Sequence, residues 1–275
     1  MSGPSRRCAV LGDPVAHSLS PVLHRAGYAE LGLDWSYDAH RVPAGTLAAF
    51  LDGLSASWRG LSLTMPLKRE ALTLVDTLTE RARQAGAVNT VVLADGERHG
   101  ENTDVIGAAA ALGERVSGPL ERAVILGGGA TATSTGIALC DLGVRHLEVV
   151  VRAPARAAQT LHALRGHPRS PQVEVSLLEE ERPFSADVLV STVPAAAQSP
   201  ALLRRSAAVP VVFEVLYDPW PTPLALAAAD RVLVGGLDLL VHQAAAQFEL
   251  FTTRQAPLAA IRAAGERALA ARTGS

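Results

Sequence analysis

Lysine is almost missing from this chain. Of its 25 lysine and arginine residues only Lys68 is lysine, and asparagine is confined to Asn89 and Asn102. Lysine is ordinarily among the commonest residues, so a strong compositional bias has removed it. Positions that escape such a bias are those where the chemistry is needed. An ammonium can shift its pKa and exchange a proton near neutral pH, whereas a guanidinium cannot. Cysteine is scarce as well: Cys8 and Cys140 each lie among apolar residues. They read as small buried hydrophobes, too few for a disulfide framework or a metal site. No metal is expected, and a reducing, cytoplasmic setting is.

Strong charge is also absent. A net charge of -2, with 19% charged residues, does not fit a protein that lives by neutralising phosphates on nucleic acid. Met1 to Arg7 is short and polar, so no secretory signal is expected. The uncharged run Ala123 to Cys140 is short for a membrane span. Its middle is Gly127, Gly128 and Gly129, followed by Thr131, Thr133, Ser134 and Thr135, which reads as strand, glycine turn and helix. Neither nucleic acid nor a membrane is an expected partner.

What remains is globular. The chain has 275 residues, 48% of them hydrophobic, enough for one large domain or two smaller ones. Strand-like runs at Cys8 to Gly12, Trp35 to Val42, Gly60 to Thr64 and Ala87 to Leu93 alternate with helical patterns. The helices are expected from Ser20-Pro21, with Ser20 as N-cap, over Ala44 to Leu54 and over Glu70 to Ala85. A second unit begins near Val105, with strands at Ala123 to Leu126, Leu147 to Val151, Asp187 to Ser191 and Pro210 to Phe213. Helical patterns at Leu239 to Thr252 and Pro257 to Ala271 close the chain. Such alternation implies an α/β protein with ligands at the carboxyl ends of parallel strands.

Two groups of residues carry chemistry. Gly127-Gly128-Gly129-Ala130-Thr131-Ala132 places a tight turn between a strand and a helix N-terminus, where free backbone N–H groups and the helix dipole attract phosphate. Any strand-to-helix turn can use such glycines, so the following strand is informative. It ends in Arg152, with Arg156 four residues on, rather than in the acid that holds the ribose hydroxyls of NAD. Guanidinium there suits the 2′-phosphate of NADP(H), though in an arginine-rich chain it can also be ordinary surface charge. Thr192, after a later strand, and Gly236 complete the candidate cofactor set. In the other group, Gly60-Leu-Ser-Leu-Thr-Met-Pro-Leu-Lys68 brings Ser62, Thr64 and Lys68 to a strand end, and hydroxyls beside one amine suit a polyol or a small acid. Asn89-Thr90 and Asn102-Thr103-Asp104 add polar edges that elsewhere are only turn chemistry. Asp13 to Pro21 adds a loop with Ser18 and Ser20, in which His17 is expected only to structure the loop.

Asp13-Pro-Val-Ala-His-Ser-Leu-Ser-Pro21, Leu63-Thr-Met-Pro-Leu-Lys68, Gly86-Ala-Val-Asn-Thr90, Asn102-Thr-Asp104 and Gly236-Leu-Asp-Leu-Leu-Val-His-Gln-Ala244 resemble, in order and spacing, the motif set of the shikimate dehydrogenases. The resemblance implies two domains with a cleft between them: an N-terminal α/β substrate domain (1–104 with 236–275) and a Rossmann-type NADP-binding domain (105–235). It implies reversible NADP-dependent reduction of 3-dehydroshikimate to shikimate, a cyclohexene carboxylic acid, by a monomer or homodimer. By the same resemblance Ser18, Ser20 and Tyr217 meet the substrate carboxylate, and Thr64, Lys68, Asn89, Asp104 and Gln243 surround its ring. Lys68 and Asp104 are then the catalytic pair, with Lys68 as general acid or as fixed positive charge. The chain departs from the common pattern at four places. Ser62 replaces asparagine, Asp238 adds charge near the nicotinamide side, Ala130 replaces glycine, and Val151 replaces a polar residue. Alternatives are a quinate or aminoshikimate dehydrogenase, with NAD as possible cofactor, or a non-catalytic NADP-binding regulatory protein on the same fold.

Overall fold

A computed structural model describes residues 5–273, so part of the segment Met1 to Arg7 lies outside the described residues. The chain divides into two compact units. One runs from the chain's start to Thr103 and resumes at Leu240; the other is Asp104–Leu239.

The first unit is a six-stranded mixed sheet. Its strands are β1 (Arg6–Gly12), β2 (Trp35–Arg41), β3 (Trp58–Leu63), β4 (Thr77–Leu78), β5 (Thr90–Ala94) and β6 (Glu97–Glu101), in the order β2-β1-β3-β5-β6-β4. β1 runs parallel to β2 and β3, whereas β5 is antiparallel to both β3 and β6. The connecting helices are α1 (Ser20–Glu30), α2 (Leu47–Asp52), α3 (Leu67–Glu70) and α4 (Glu80–Ala85). The expected helix over 70–85 is therefore broken. Thr77 and Leu78 leave it to pair with β6, and the Thr79 side chain accepts from the Ala82 N–H to start α4 afresh. The β5–β6 hairpin was not expected either, although Asp95-Gly96, with both residues at positive φ, is the turn chemistry a hairpin needs.

The second unit starts with α5 (Thr103–Arg115), whose first residue belongs to the first unit. It continues with β7 (Arg122–Leu126), α6 (Ala130–Asp141), β8 (His146–Val151), α7 (Ala158–Arg165), β9 (Gln172–Leu177), β10 (Val188–Ser191), α8 (Pro200–Ser206), β11 (Val211–Glu214), α9 (Pro223–Ala227) and β12 (Val232–Val234). All six strands are parallel, in the order β12-β11-β10-β7-β8-β9. This is the doubly wound Rossmann arrangement, in which the order reverses between β7 and β10 and a ligand crevice opens at their carboxyl ends. The strands read as unbroken apolar runs because both faces of a parallel sheet are covered.

Two helices close the chain, α10 (Gly236–Thr252) and α11 (Leu258–Thr273). Phe248 and Phe251 of α10 join Cys8, Val10, Tyr28 and Tyr37 in one buried cluster. Burying side chains of this size is worth about 1.5–3 kcal/mol each. Gly60 is required beneath Phe251, since a Cβ there would lie 2.1 Å from the ring. Cys8 and Cys140 are free and buried, and burial pushes both thiols up to about 12, as two inert core residues require. Among the described residues, no helix is long and apolar enough to cross a membrane.

Candidate active site

The carboxyl edge of β1 and β3 brings the serine loop and Thr64 together. Thr64 N–H donates to Leu11 O (2.9 Å) and Asp13 N–H donates to Met65 O (3.0 Å), which ties the loop after β1 to the segment after β3. Gly12 makes this approach possible, because a Cβ there would lie 2.3 Å from the Thr64 methyl. Ser20 is the first helical residue of α1 rather than its cap. Its N–H lies 3.3 Å from Ser18 Oγ, which accepts the bond.

Lys68 sits on the single turn α3, half-buried, and that turn is tied to its surroundings at two points. Val88 N–H donates to Lys68 O (2.7 Å), and the Glu70 carboxylate accepts from the N–H groups of Gly45 (2.8 Å) and Leu47 (3.1 Å). Leu67 beside it is fully buried. The lysine thus projects from a turn anchored next to the segment that carries Asn89.

Asn89 lies in a buried polar network. Its Oδ1 accepts from Thr103 N (2.7 Å), Thr103 Oγ1 (3.1 Å) and Thr90 Oγ1 (2.8 Å). Gln247 of α10 donates through Nε2 to Thr90 Oγ1 (3.0 Å) and Asn89 O (3.3 Å), and its Oε1 accepts from Ser62 Oγ (2.8 Å). Ser62 in turn accepts from Tyr37 (2.5 Å). Ser62, expected at the substrate, therefore faces inward: it is 4% exposed and already bonded on both sides. Gln247 and Tyr37 were missed at the sequence level, and Thr103 was noted only as part of a polar edge. The available signal was Gln247 lying one helical turn beyond Gln243, on the same face.

His24 completes this network. Its ring stacks on Tyr37 (centroids 4.1 Å apart), and its Nε2 lies 3.4 Å from Gln247 Oε1. Complete burial pulls its pKa down to about 3. The native state keeps this imidazole neutral while the unfolded chain protonates near pH 6.5. Its contribution is therefore fully present above 6.5 and is lost as pH falls towards 3. Between pH 6.5 and 5 this one group should remove about 2 kcal/mol of stability, at about 1.4 kcal/mol per unit. Urea titrations at the two pH values should show that slope in the wild type and lose it in His24→Phe; an equally steep slope in the variant would refute the assignment.

In the second unit, Gly127 follows β7 at φ 112°, and a Cβ there would lie 2.3 Å from Thr192 Oγ1. Thr192 donates to Leu126 O (2.8 Å), so it stands against the turn. A Cβ on Gly128 would lie 2.6 Å from that of Ala157, which forces glycine there. Gly129, the N-cap of α6, faces open space and offers no capping side chain. Such a terminus has N–H groups to give to a phosphate. Ala130 is simply the first helical residue, and Val151 packs beside Gly128, so neither departure disturbs the turn. Arg152 and Arg156 are both exposed just past β8. These residues fit a dinucleotide carrying an extra phosphate.

Tyr217 belongs to the segment between β11 and α9, clamped by buried Glu214. This carboxyl accepts from Leu216 N (3.1 Å), Thr222 Oγ1 (3.0 Å) and Gln198 Nε2 (2.6 Å). Burial raises its pKa despite these donors. Gly236 opens α10 against the same segment, where a Cβ would lie 2.4 Å from Val215 O. The Asp238 side chain accepts from Gly235 N–H (3.0 Å) and pairs with Arg115 (3.1 Å). The charge expected to trouble the nicotinamide side is thus spent on capping a helix and on an ion pair. Gln243 is half-buried on α10, and Asp104 stands in the first turn of α5.

Residues 10–91 match the family model for the shikimate dehydrogenase substrate binding domain, and residues 236–264 match that for the shikimate 5'-dehydrogenase C-terminal domain. The chain is 34% identical to the shikimate dehydrogenase (NADP(+)) of Moorella thermoacetica, over 97% of this chain and 94% of that one. The crystal structure of Mycobacterium tuberculosis shikimate dehydrogenase superimposes with a TM-score of 0.88 at 37% identity, covering 95% of this chain and 99% of that one. The Thermus thermophilus enzyme, in complex with NADP(H) and shikimate, does so with a TM-score of 0.84 at 31% identity, covering 96% and 99%. Full-length identity of this order, over a matching pair of sheets, decides the matter: the chain belongs to the shikimate dehydrogenase family.

Proposed function

We propose that this protein catalyses the reversible NADP-dependent reduction of 3-dehydroshikimate to shikimate. The observation that carries the reading is the chain's only lysine, pinned by its own backbone to the strand segment that presents Asn89. A cation on this turn, an oriented amide on the segment bonded to it and the hydroxyls of Ser18, Ser20 and Thr64 suit a small polyhydroxylated acid. NADPH, when bound, supplies the hydride. Gly127 to Thr131 and Thr192 would hold its pyrophosphate, Arg152 and Arg156 its 2′-phosphate, and Gly236 would complete the set.

The developing alkoxide needs a proton or a positive charge, and Lys68 supplies it. Asp104 is assigned to the neighbouring ring hydroxyl, as are Asn89 and Gln243. Ser18, Ser20 and Tyr217 are assigned to the carboxylate. In this reading the partner is the small molecule alone, and the chain acts in the cytoplasm as a monomer or homodimer. Ser62 drops out as a substrate contact because its hydroxyl is committed to Tyr37 and Gln247.

Initial rates on shikimate, quinate and aminoshikimate, each with NADP and with NAD, test the proposal. Shikimate with NADP should give a kcat/KM at least about tenfold above every other pair, a preference of about 1.4 kcal/mol. Equal or faster turnover of quinate with NAD would reassign the substrate. Nucleotide binding without turnover of any of these acids would leave a regulatory protein.

A further inference from the structure

We propose that Gln247 is a positioning residue, which sets the side-chain amide of Asn89 with its –NH2 end as the part able to donate to a ligand. The inference deepens the site proposed above and rests on Asn89 belonging to it. An asparagine amide has one acceptor end and one donor end, and rotating it by half a turn exchanges them. Here Oδ1 is surrounded by donors: Thr103 N–H at 2.7 Å, with the hydroxyls of Thr90 and Thr103 at 2.8 and 3.1 Å. A flipped amide would press its –NH2 against the Thr103 N–H, donor against donor.

Thr90 has one hydroxyl proton, and Gln247 closes one direction to it. Gln247 Nε2 donates to Thr90 Oγ1 at 3.0 Å, so that oxygen is an acceptor on the Gln247 side and its proton is turned to the other, where Asn89 Oδ1 lies at 2.8 Å and Thr103 Oγ1, itself a donor to Oδ1, at 3.0 Å. The same Nε2 holds Asn89 O at 3.3 Å, which fixes the backbone from which the side chain springs. Gln247 is itself oriented, because Oε1 accepts the Ser62 proton and the Ser62 oxygen accepts from Tyr37. Every member of this chain is at least nine-tenths buried. Water therefore cannot easily replace a lost link, and buried networks of this kind orient their members jointly.

Gln247→Met keeps volume and removes both functions of the amide. Its kcat/KM for shikimate should fall about tenfold, the loss that one misdirected hydrogen bond produces, while KM for NADP stays within about twofold. Thr90→Val breaks the same path with an isosteric strand residue and should give the same selective loss. Thr90→Ser keeps the hydroxyl and should restore the wild-type value. In an Asn89→Ala background, Gln247→Met should cost nothing further in kcat/KM, because its route to the substrate is gone. An unchanged kcat/KM in Gln247→Met beside an impaired Asn89→Ala would overturn this inference alone, as would a loss of equal size in both backgrounds. Unimpaired turnover in Asn89→Ala would overturn the site assignment and the inference with it.

Discussion

Lys68→Ala should lower kcat about a thousandfold, within the hundred- to ten-thousandfold range that a positioned proton donor contributes. KM for NADP should hardly change, because the residues proposed to hold the cofactor belong to the other sheet. The fold should survive, since α3 is fixed by buried Leu67, by the Glu70 carboxylate and by the bond from Val88 to Lys68 O, none of which uses the lysine side chain. Lys68→Arg then separates the two roles open to the ammonium. Arginine keeps the positive charge but does not release a proton near neutral pH. If the charge alone matters, Lys68→Arg should recover most of the activity; if the proton is transferred from Lys68, it should be nearly as slow as Lys68→Ala. Near-normal turnover in Lys68→Ala would remove the residue from the mechanism.

The second large effect concerns the cofactor. Arg152→Asp should raise KM for NADP about a hundredfold and leave NAD much less affected. A hydrogen bond to a charged group is worth about 1.5–3 kcal/mol, and the new carboxylate adds repulsion towards the 2′-phosphate. Arg156→Ala should act in the same direction more weakly, since it removes a cation without introducing an anion. Both side chains are exposed, so the unfolding midpoint should stay at the wild-type value. An Arg152→Asp protein with unchanged NADP kinetics would show that these arginines are only surface charge.

The two units were unequally legible in the sequence. The glycine turn and the strand end before Arg152 could be read directly, because a parallel strand is an unbroken apolar run and its end is abrupt. Lys68 stood out by composition. The long-range polar links could not be read. Ser62 looks like a substrate hydroxyl from strand alternation alone, yet its destination depends on Tyr37 and Gln247, 25 and 185 residues away. Asp238 shows the same limit, since its meaning depends on Arg115 across 123 residues. Helix 70–85 was misread for a local reason: Thr79 is a cap, and the short strand before it depends on pairing with the distant β6.

The position of Phe248 and Phe251 has a consequence for biosynthesis. They close the cluster around Cys8, Tyr28 and Tyr37, so β1 and β2 cannot complete their core until α10, some two hundred residues later in synthesis, has been made. The inserted unit, Asp104–Leu239, is one uninterrupted stretch and has its whole chain available earlier. Domains generally fold as units in the order of synthesis. Here the order is inverted: the middle of the chain can finish first, and the amino-terminal sheet waits, with apolar surface exposed, for α10 to arrive.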